Sequence, residues 1–300
     1  MNSEVLSKPR SSLYADVTAK IVRAIEEGAG SYQMPWHRTG VMIGRPINAL
    51  TGRAYQGVNV VSLWVEAASR RSESPYWATY RQWQELGAHV RQGERGTTIV
   101  FYSPRANAED DDTRDDGSRS AQRFVARASR VFNAVQVDGW TSVGPFHADE
   151  DELVPTAEAL VELSGARIAF GSSNACYHPS GDYIEMPSRE AFVATASSSA
   201  GEAFYAVLLH ELTHWTGHPA RLNRDLTGRF GSGSYAMEEL VAELGAAFLC
   251  ADLRVSNEPR RDHAQYLESW LKVLRQDSRA LFSAATHASH AATYLVGVAS

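Results

Sequence analysis

The sequence predicts an α+β fold in two domains, and three observations support that prediction. The first half breaks into short segments bounded by glycine and proline, whereas the second half contains long apolar segments with helical spacing. The halves also differ in charge: residues 1–147 hold 18 Lys+Arg and 15 Asp+Glu, and residues 148–300 hold 11 and 20. With 300 residues, 44% of them apolar, the chain is large enough for two cores. We therefore predict domains at 1–147 and 148–300.

The first domain is predicted to mix helices with short strands. Leu13, Val17, Ile21 and Ile25 recur at helical spacing, and Gly28 closes the pattern. Later segments alternate aromatic residues with turn residues, which favours strands. In chain order we expect a helix at 12–28, a helix ending near residue 69, a short helix at 78–87, two strands around a turn within 89–104, and a third strand at 123–137.

An acidic segment interrupts this domain. Residues 106–122 carry six acids, two arginines and no large apolar side chain, so we expect a disordered loop. Without that loop, residues 1–147 hold 16 basic and 9 acidic side chains, a net charge of +7. A basic domain joined to an acidic one indicates that the first binds a polyanion while the second has another task. Residues 145–155 are predicted to be the linker between them.

The second domain is predicted to be mostly helical, with a small sheet. Its hairpin comes shortly before a buried helix, where it can border a cleft and pair with an extended peptide. The predicted elements are a helix at 156–164, a strand at 166–170, a hairpin at 176–187, helices at 202–218 and 235–250, and two closing helices at about 261–277 and 279–296.

The helix at 202–218 contains the sequence H-E-L-T-H. His210 and His214 lie one turn apart, so both imidazoles can reach one divalent ion, and Glu211 lies beside them as a candidate general base. Apolar residues precede His210, so the helix is expected to be buried with its polar face open to a cleft. Because catalytic zinc takes three protein ligands and a water, one more ligand is needed. His218 is a weaker candidate, since it follows the glycine that ends the helix.

The third ligand is expected on the helix at 235–250. A metzincin has a histidine six residues after the second histidine of the motif, but Ala220 occupies that position. Glu239 and Glu243 are one helical turn apart, whereas Glu238 is expected to point elsewhere. In the gluzincin plan Glu239 binds the metal and Glu243 hydrogen-bonds a ligand histidine, and the reverse assignment stays open. We expect Zn²⁺, or another divalent transition metal, at this site.

The first domain interleaves aromatic and arginine side chains. Bases stack on aromatic rings while arginines bind phosphates, so this composition favours single-stranded nucleic acid with little sequence preference. Core packing is the alternative for each ring. The pattern comprises Trp36, Tyr55, Trp77, Tyr80, Trp83, Phe101 and Tyr102 with Arg38, Arg45, Arg53, Arg81, Arg91 and Arg95. From it we select Arg53, Tyr55, Trp77, Arg81, Trp83, Arg91 and Arg95 as candidate DNA contacts.

Several other classes of protein are disfavoured. The start of the chain lacks an apolar signal segment and no later segment approaches a membrane-spanning run, so we expect a cytoplasmic protein with no membrane partner. Cys176 and Cys250 are too few for a disulfide framework and fit reduced thiols. A nuclease or primase is disfavoured because the sequence offers no aspartate cluster suited to two metals.

Long motifs in both halves resemble the ArdC-like antirestriction proteins. N-A-L-T-G-R-A-Y-Q-G-V-N at 48–59 and W-A-T-Y-R-Q-W-Q-E-L-G at 77–87 are similar to the family's N-terminal domain, which binds single-stranded DNA. S-G-D-Y-I-E-M-P at 180–187, L-L-H-E-L-T-H-W-T-G-H at 208–218 and E-E-L-V-A-E-L-G-A-A-F-L at 238–249 are similar to its zincin-like metallopeptidase domain. The sequence S-Y-Q-M-P-W departs from relatives that often show a second tryptophan before the proline.

The resemblance implies a protein of mobile elements that binds incoming single-stranded DNA during conjugation and counters restriction. It also implies a metal at His210 and His214, a glutamate ligand from the second helix, and Glu211 as general base. A zinc metallopeptidase of this kind would cut a host restriction protein or another DNA-associated protein. Two alternatives stay open: a single-strand coat protein whose metal is structural, and a metallopeptidase that binds DNA only to find its target.

Overall fold

The computed structural model describes residues 12–31, 33–37, 44–104, 124–141, 150–229, 231–258 and 263–298. The predicted acidic loop at 106–122 lies outside the described residues. The helices are α1 (Leu13–Gly28), α2 (Val58–Arg70), α3 (Tyr80–Glu85), α4 (Glu150–Ser164), α5 (Ala200–Thr216), α6 (Gly233–Leu253), α7 (His263–Gln276) and α8 (Ala280–Val298). The strands are β1 (Ile47–Asn48), β2 (Tyr76–Thr79), β3 (His89–Val90), β4 (Thr97–Pro104), β5 (Phe124–Asn133), β6 (Val137–Asp138), β7 (Arg167–Phe170), β8 (Cys176–His178) and β9 (Tyr183–Met186).

The N-terminal half contains a four-stranded sheet with the order β1-β2-β5-β4. β4 and β5 form its long antiparallel ribbon, while β1 pairs in parallel with β2. The two strands predicted within 89–104 do not pair with each other, because β3 pairs with β6 in a separate two-stranded sheet. Trp83, Ala88 and Val137 form a small core that holds β3 and β6 beside α3.

The described part of the C-terminal half combines a three-stranded sheet with helices α4 to α8. The sheet has the order β7-β9-β8, and β8 and β9 form the predicted hairpin. The linker prediction for residues 145–155 is wrong in its second part, since α4 begins at Glu150.

The two halves share one hydrophobic core. α1 packs against α7, and α2 packs against α8. The ring of Trp64 on α2 lies 5.8 Å from that of Phe248 on α6, and both side chains are buried. Arg45 also crosses between the halves, because its guanidinium binds the Asp252 carboxylate at 2.7 Å and lies over the Phe248 ring. The N-terminal helices therefore complete the core of the C-terminal half.

α5 and α6 lie unusually close together, which brings their polar side chains within reach of each other. Ser199 begins α5 with a capping box in which its hydroxyl accepts from the Glu202 N–H and the Glu202 carboxylate accepts from the Ser199 N–H. On α6, a Cβ atom placed on Gly245 would come within 2.4 Å of Thr213 on α5. The absence of a side chain at Gly245 thus permits the close contact of the two helices.

Candidate metal centre and nucleic-acid interface

Three side chains from α5 and α6 converge on one point. One ligand atom each from His210, His214 and Glu239 lies within 4.8 Å of the others. The Nε2 atom of His210 lies 3.6 Å from one oxygen of Glu239, and the Nε2 atom of His214 lies 3.6 Å from the other. A tetrahedral ion with bonds of about 2.0–2.1 Å places neighbouring ligand atoms roughly 3.4 Å apart, so this spacing fits a divalent metal ion.

Each histidine has its own carboxylate behind it. His214 Nδ1 lies 3.1 Å from Glu238, which Arg224 also binds. His210 Nδ1 lies 3.7 Å from Glu243. A carboxylate on Nδ1 favours the tautomer whose Nε2 lone pair is available to a metal. The expectation that Glu238 points elsewhere is therefore wrong: one residue before Glu239 on α6, it still reaches the second histidine.

Glu239 is the carboxylate that faces both histidines. Burial acts to raise the pKa of this carboxyl, but the two histidines and a hydrogen bond from Tyr235 outweigh it and hold the pKa at about 2. The group is therefore ionised at neutral pH and available as an oxygen ligand. Of the two motif histidines, Glu243, one turn further along α6, approaches only His210, with 3.7 Å between its carboxylate and Nδ1. The geometry favours Glu239 as ligand, and the assignment stays a prediction.

Glu211 is held beside the metal cluster without belonging to it. Its carboxylate accepts a hydrogen bond from the backbone N–H of Tyr177 on β8 at 2.8 Å. A cavity of about 320 Å³ opens here, bordered by β8, the metal cluster and the loop that precedes α6. Its wall includes Cys176, Tyr177 and Tyr235. A peptide entering the cavity would meet Glu211 and the three ligand side chains together.

His218 lies beyond the end of α5. Its Nδ1 accepts a hydrogen bond from the Ala220 N–H at 3.2 Å, and it is not among the clustered ligands. The position agrees with its lower rank as a candidate.

Two of the candidate DNA contacts, Trp77 on β2 and Trp83 on α3, cannot stack with bases, so their selection is wrong. Trp77 and Trp83 are 1% and 0% exposed, so neither ring offers a face to a base. The indole N–H of Trp83 donates to the Phe132 carbonyl, and its ring packs against Trp140. Both tryptophans fill cores because the sheet is small and large rings are needed to close it. Trp36 is likewise 0% exposed.

The arginine candidates fall into two groups. Arg53, Arg81 and Arg95 are exposed and available to phosphates. Arg91 is also exposed, but it binds Glu94 and the Val135 carbonyl. Arg45, from the wider pattern, is buried against Asp252.

An exposed aromatic residue and an arginine lie opposite each other on the β4–β5 ribbon. Phe101 is 44% exposed and pairs in register with Arg127, so their side chains lie on the same face of the sheet. Ile99 lies two residues before Phe101 on that face, and both Ile99 and the half-buried Tyr55 pack against the same small core of Leu63, Trp77 and Val131. Arg53 is exposed two residues before Tyr55. We call Arg53, Tyr55, Phe101 and Arg127 the ribbon strip.

Sequence reasoning missed three features of these sites. Glu238 could have been found, because it precedes the ligand candidate on a helix. Arg127 was not selected as a DNA contact because it follows the acidic segment and lies within a predicted strand. His37 follows Trp36 in the motif M-P-W-H, and nothing local indicates that it contacts Glu243 at 3.0 Å.

Family models match both halves of the chain. The model described as the N-terminal domain of anti-restriction factor ArdC matches residues 11–132, and the zincin-like metallopeptidase model matches residues 155–287. The crystal structure of the metal-free ArdC protein from plasmid R388 is 38% identical, with a TM-score of 0.73, and the match covers 96% of this chain and 98% of that one. This chain belongs to the ArdC antirestriction family.

The Mn(II)-bound structure of the R388 ArdC protein matches equally well, with a TM-score of 0.74 and 38% identity over 97% of this chain and 99% of that one. Protein y4eC of Sinorhizobium fredii is 43% identical over 98% of this chain and 95% of its own length. Two DNA primases named TraC from Escherichia coli are 32% and 34% identical over 96% and 94% of this chain. The chain spans only 20% and 27% of those two proteins. The architecture is thus that of ArdC: an N-terminal ArdC domain followed by a zincin-like domain.

Proposed function

We propose that this ArdC-family protein binds single-stranded DNA through its N-terminal domain and protects transferred DNA from restriction, and that its C-terminal domain carries a zinc-dependent peptidase site. The observation that carries the proposal is the cluster of His210, His214 and Glu239 beside Glu211, in a chain that matches ArdC over nearly its full length. We keep residues 1–147 and 148–300 as the two domains of this proposal.

The donor set supports a divalent metal, and zinc in particular. Two imidazole nitrogens and one carboxylate oxygen are the ligands of the gluzincin type of site, which leaves a fourth position open. The related R388 protein has a Mn(II)-bound structure, so other divalent ions are competitors for the same residues. His210, His214 and Glu239 would hold the ion, which when bound would polarise a carbonyl and acidify a water.

The peptidase chemistry assigned to this chain rests on Glu211. Its carboxylate is fixed by the Tyr177 N–H and faces the cavity, where it would accept a proton from the attacking water and pass it to the leaving amine. β8 is an edge strand of the described three-stranded sheet and borders the cavity, so an extended peptide has a strand to lie beside. We propose a host restriction protein, or another DNA-associated protein, as the substrate.

We propose that DNA binds to the ribbon strip rather than to the buried tryptophans. A base can stack on Phe101, while Arg127 and Arg53 bind flanking phosphates. The test measures the affinity of the whole protein for a labelled thymidine oligonucleotide at fixed salt. Phe101→Ala is expected to weaken binding by about 1–3 kcal/mol, which is typical for the loss of one stacked base.

Matched controls are available on the opposite face of the same ribbon. Tyr80 is 51% exposed and packs against Phe132, and Arg130 is an exposed cation three residues from Arg127. Tyr80→Ala removes an aromatic ring and Arg130→Ala removes a guanidinium, both from the face opposite to the ribbon strip. These variants should lose much less DNA affinity than Phe101→Ala and Arg127→Ala. Equal losses from both faces would refute the ribbon strip as the binding surface.

A protection assay distinguishes protection by peptide hydrolysis from protection by coating of the DNA strand. A transfer assay into restricting and non-restricting recipients compares the wild type, Glu211→Gln and Phe101→Ala/Arg127→Ala. We expect Glu211→Gln to protect and the ribbon variant to fail, because occupancy of the strand alone can block an enzyme that must reach DNA. Loss of protection in Glu211→Gln with intact DNA binding would instead show that protection requires peptide hydrolysis.

A further inference from the structure

Two buried side chains of the N-terminal domain reach the helix that carries the metal ligand candidate Glu239. The indole N–H of Trp36 donates to Oε1 of Glu243 at 2.9 Å, and Nε2 of His37 lies 3.0 Å from the same oxygen. Trp36 and His37 are 0% and 6% exposed, and Glu243 is 3% exposed. The bonds span 207 and 206 positions of sequence, so they join the domains directly beneath the metal cluster.

The backbone of the same segment determines which nitrogen of His37 donates. The Met34 N–H donates to Nδ1 of His37 at 3.0 Å, so Nδ1 is the acceptor and Nε2 carries the hydrogen. The contact between His37 Nε2 and Glu243 is therefore an N–H donated to a carboxylate. Glu243 Oε1 accepts from two N–H groups of the N-terminal domain, and its other oxygen is turned towards His210.

That second oxygen lies 3.7 Å from Nδ1 of His210, on the opposite side of the ring from Nε2, which faces Glu239. A carboxylate behind Nδ1 orients a ligand imidazole and keeps Nε2 unprotonated for the metal. At 3.7 Å the Glu243–His210 contact is electrostatic rather than a hydrogen bond, and Trp36 and His37 hold Glu243 in the place where it can orient His210.

We propose that Trp36 and His37 are positioning residues of the metal site: the N-terminal domain fixes Glu243 and thereby sets the metal affinity of His210. The inference rests on the proposed function, because it requires that His210, His214 and Glu239 bind a divalent ion. It adds to that function a contribution of the N-terminal domain to the metal site. The metal site is completed by residues from outside the zincin-like domain, so metal binding and the docking of the 33–37 segment are coupled.

The test measures zinc affinity of the whole protein by competition with a chromophoric chelator, and the visible spectrum of the Co(II)-loaded protein. Trp36→Phe keeps an aromatic ring but removes the donated N–H, and should weaken zinc by about 10- to 100-fold with a changed Co(II) spectrum. His37→Gln offers an amide N–H to the same oxygen and should bind zinc more tightly than His37→Ala.

Trp64→Phe is the matched control. Trp64 is 1% exposed, donates its indole N–H to the Gly44 carbonyl at 3.1 Å, and packs on the same helix α6. The Trp64→Phe variant should lose about as much stability as Trp36→Phe. It should keep the zinc affinity and the Co(II) spectrum of the wild type. An equal loss of zinc affinity in Trp64→Phe would reduce the effect to general destabilisation and overturn the proposal.

A double-mutant cycle tests the route through Glu243. In a Glu243→Gln background, Trp36→Phe should have little further effect on zinc affinity, because the carboxylate it positions is gone. Full additivity would overturn the proposal, and so would unchanged affinity in Trp36→Phe and His37→Ala. If the wild-type protein bound no stoichiometric divalent ion, the proposed metal site itself would be refuted. That result differs from one in which the wild type binds metal and both variants bind it equally well, which would refute only the positioning role.

Discussion

At the scale of single residues, three glutamates within six positions of α6 acquire different roles from their neighbours. Glu238 contacts His214 and Arg224, Glu239 faces both histidines, and Glu243 bridges His210 to the N-terminal domain. For Glu238, burial acts to raise the pKa, but His214 and Arg224 outweigh it and the pKa is lowered. Identical side chains thus differ in role only through the atoms they touch.

We expect Glu239→Ala to abolish stoichiometric zinc, because it removes the only oxygen ligand of the cluster identified among the described residues. Glu243→Ala should leave zinc bound but weaken it by about 10- to 100-fold. Zinc content after dialysis against a weak chelator measures both. The opposite ranking would reassign the ligand to Glu243.

Glu211→Gln should retain zinc, fold and single-strand affinity. The amide oxygen can still accept from the Tyr177 N–H, whose bond to Glu211 is 2.8 Å long. Hydrolysis of any peptide substrate should fall by about 10²- to 10⁴-fold, the usual contribution of a general base. Mass spectrometry of a peptide library compares the two proteins. Full hydrolysis by the variant would show that another group takes the proton.

At the scale of elements, the metal site depends on how closely α5 and α6 approach. Gly245→Ala places a methyl group against Thr213, within 2.4 Å of its Cγ2 atom in the present geometry. Either the buried Thr213 side chain or the helices themselves must shift, which should destabilise the protein by about 1–3 kcal/mol and weaken zinc binding. Denaturant unfolding and a zinc titration measure the two effects.

Gly233→Ala is the control for that substitution. A methyl group at Gly233, at the start of the same helix, meets nothing within 4 Å. It should be neutral or slightly stabilising, because alanine reduces the entropy of the unfolded chain. A Gly245→Ala protein as stable as Gly233→Ala would show that α5 and α6 can separate without loss.

A partly buried ion-pair network ties α1 to α2. Glu66 on α2 binds Lys20 on α1 and Arg70 one turn along its own helix. Burial acts to raise the pKa of the Glu66 carboxyl, but the two cations outweigh it, so the pKa is below its ordinary value of 4.5. Its stabilising effect is therefore present above pH 4.5 and is lost as the pH falls below that value.

We expect Glu66→Gln to lower the melting temperature at pH 7. The gap in melting temperature between this variant and the wild type should shrink as the pH falls from 4.5 towards 3. Glu27→Gln, an exposed acid on α1, should show a much smaller gap at pH 7. Thermal melts across the pH range measure all three proteins. A gap that stays constant down to pH 3 would mean that Glu66 stabilises the fold by packing rather than by charge.

At the scale of the whole molecule, the shared core predicts that the two domains do not fold independently. α7 and α8 bury apolar side chains against α1 and α2, including the contact of Phe282 with Tyr14 at 4.7 Å between ring centroids. Residues 148–300 expressed alone should therefore melt at lower temperature than the whole chain and bind a hydrophobic dye. A fragment that melts cooperatively at the temperature of the whole chain would contradict this.

The order of the elements was accessible from the sequence because each depends on local pattern. Apolar spacing and Gly28 indicated α1, and the H-E-L-T-H spacing placed His210 and His214 on one face of α5. Strand partners were less accessible: β3 pairs with β6 because Trp83 and Val137 share a core, a contact between distant positions.

The metal motif, the two-domain composition and the family could therefore be inferred before the structure, since all three reside in spacing along short segments. Which rings are core, and which distant residues complete a site, depends on tertiary packing. Trp83 and Phe101 are both aromatic residues among arginines, yet one is 0% and the other 44% exposed. Burial depends on the neighbours that packing supplies, and so does the contact of His37 with Glu243 across 206 positions.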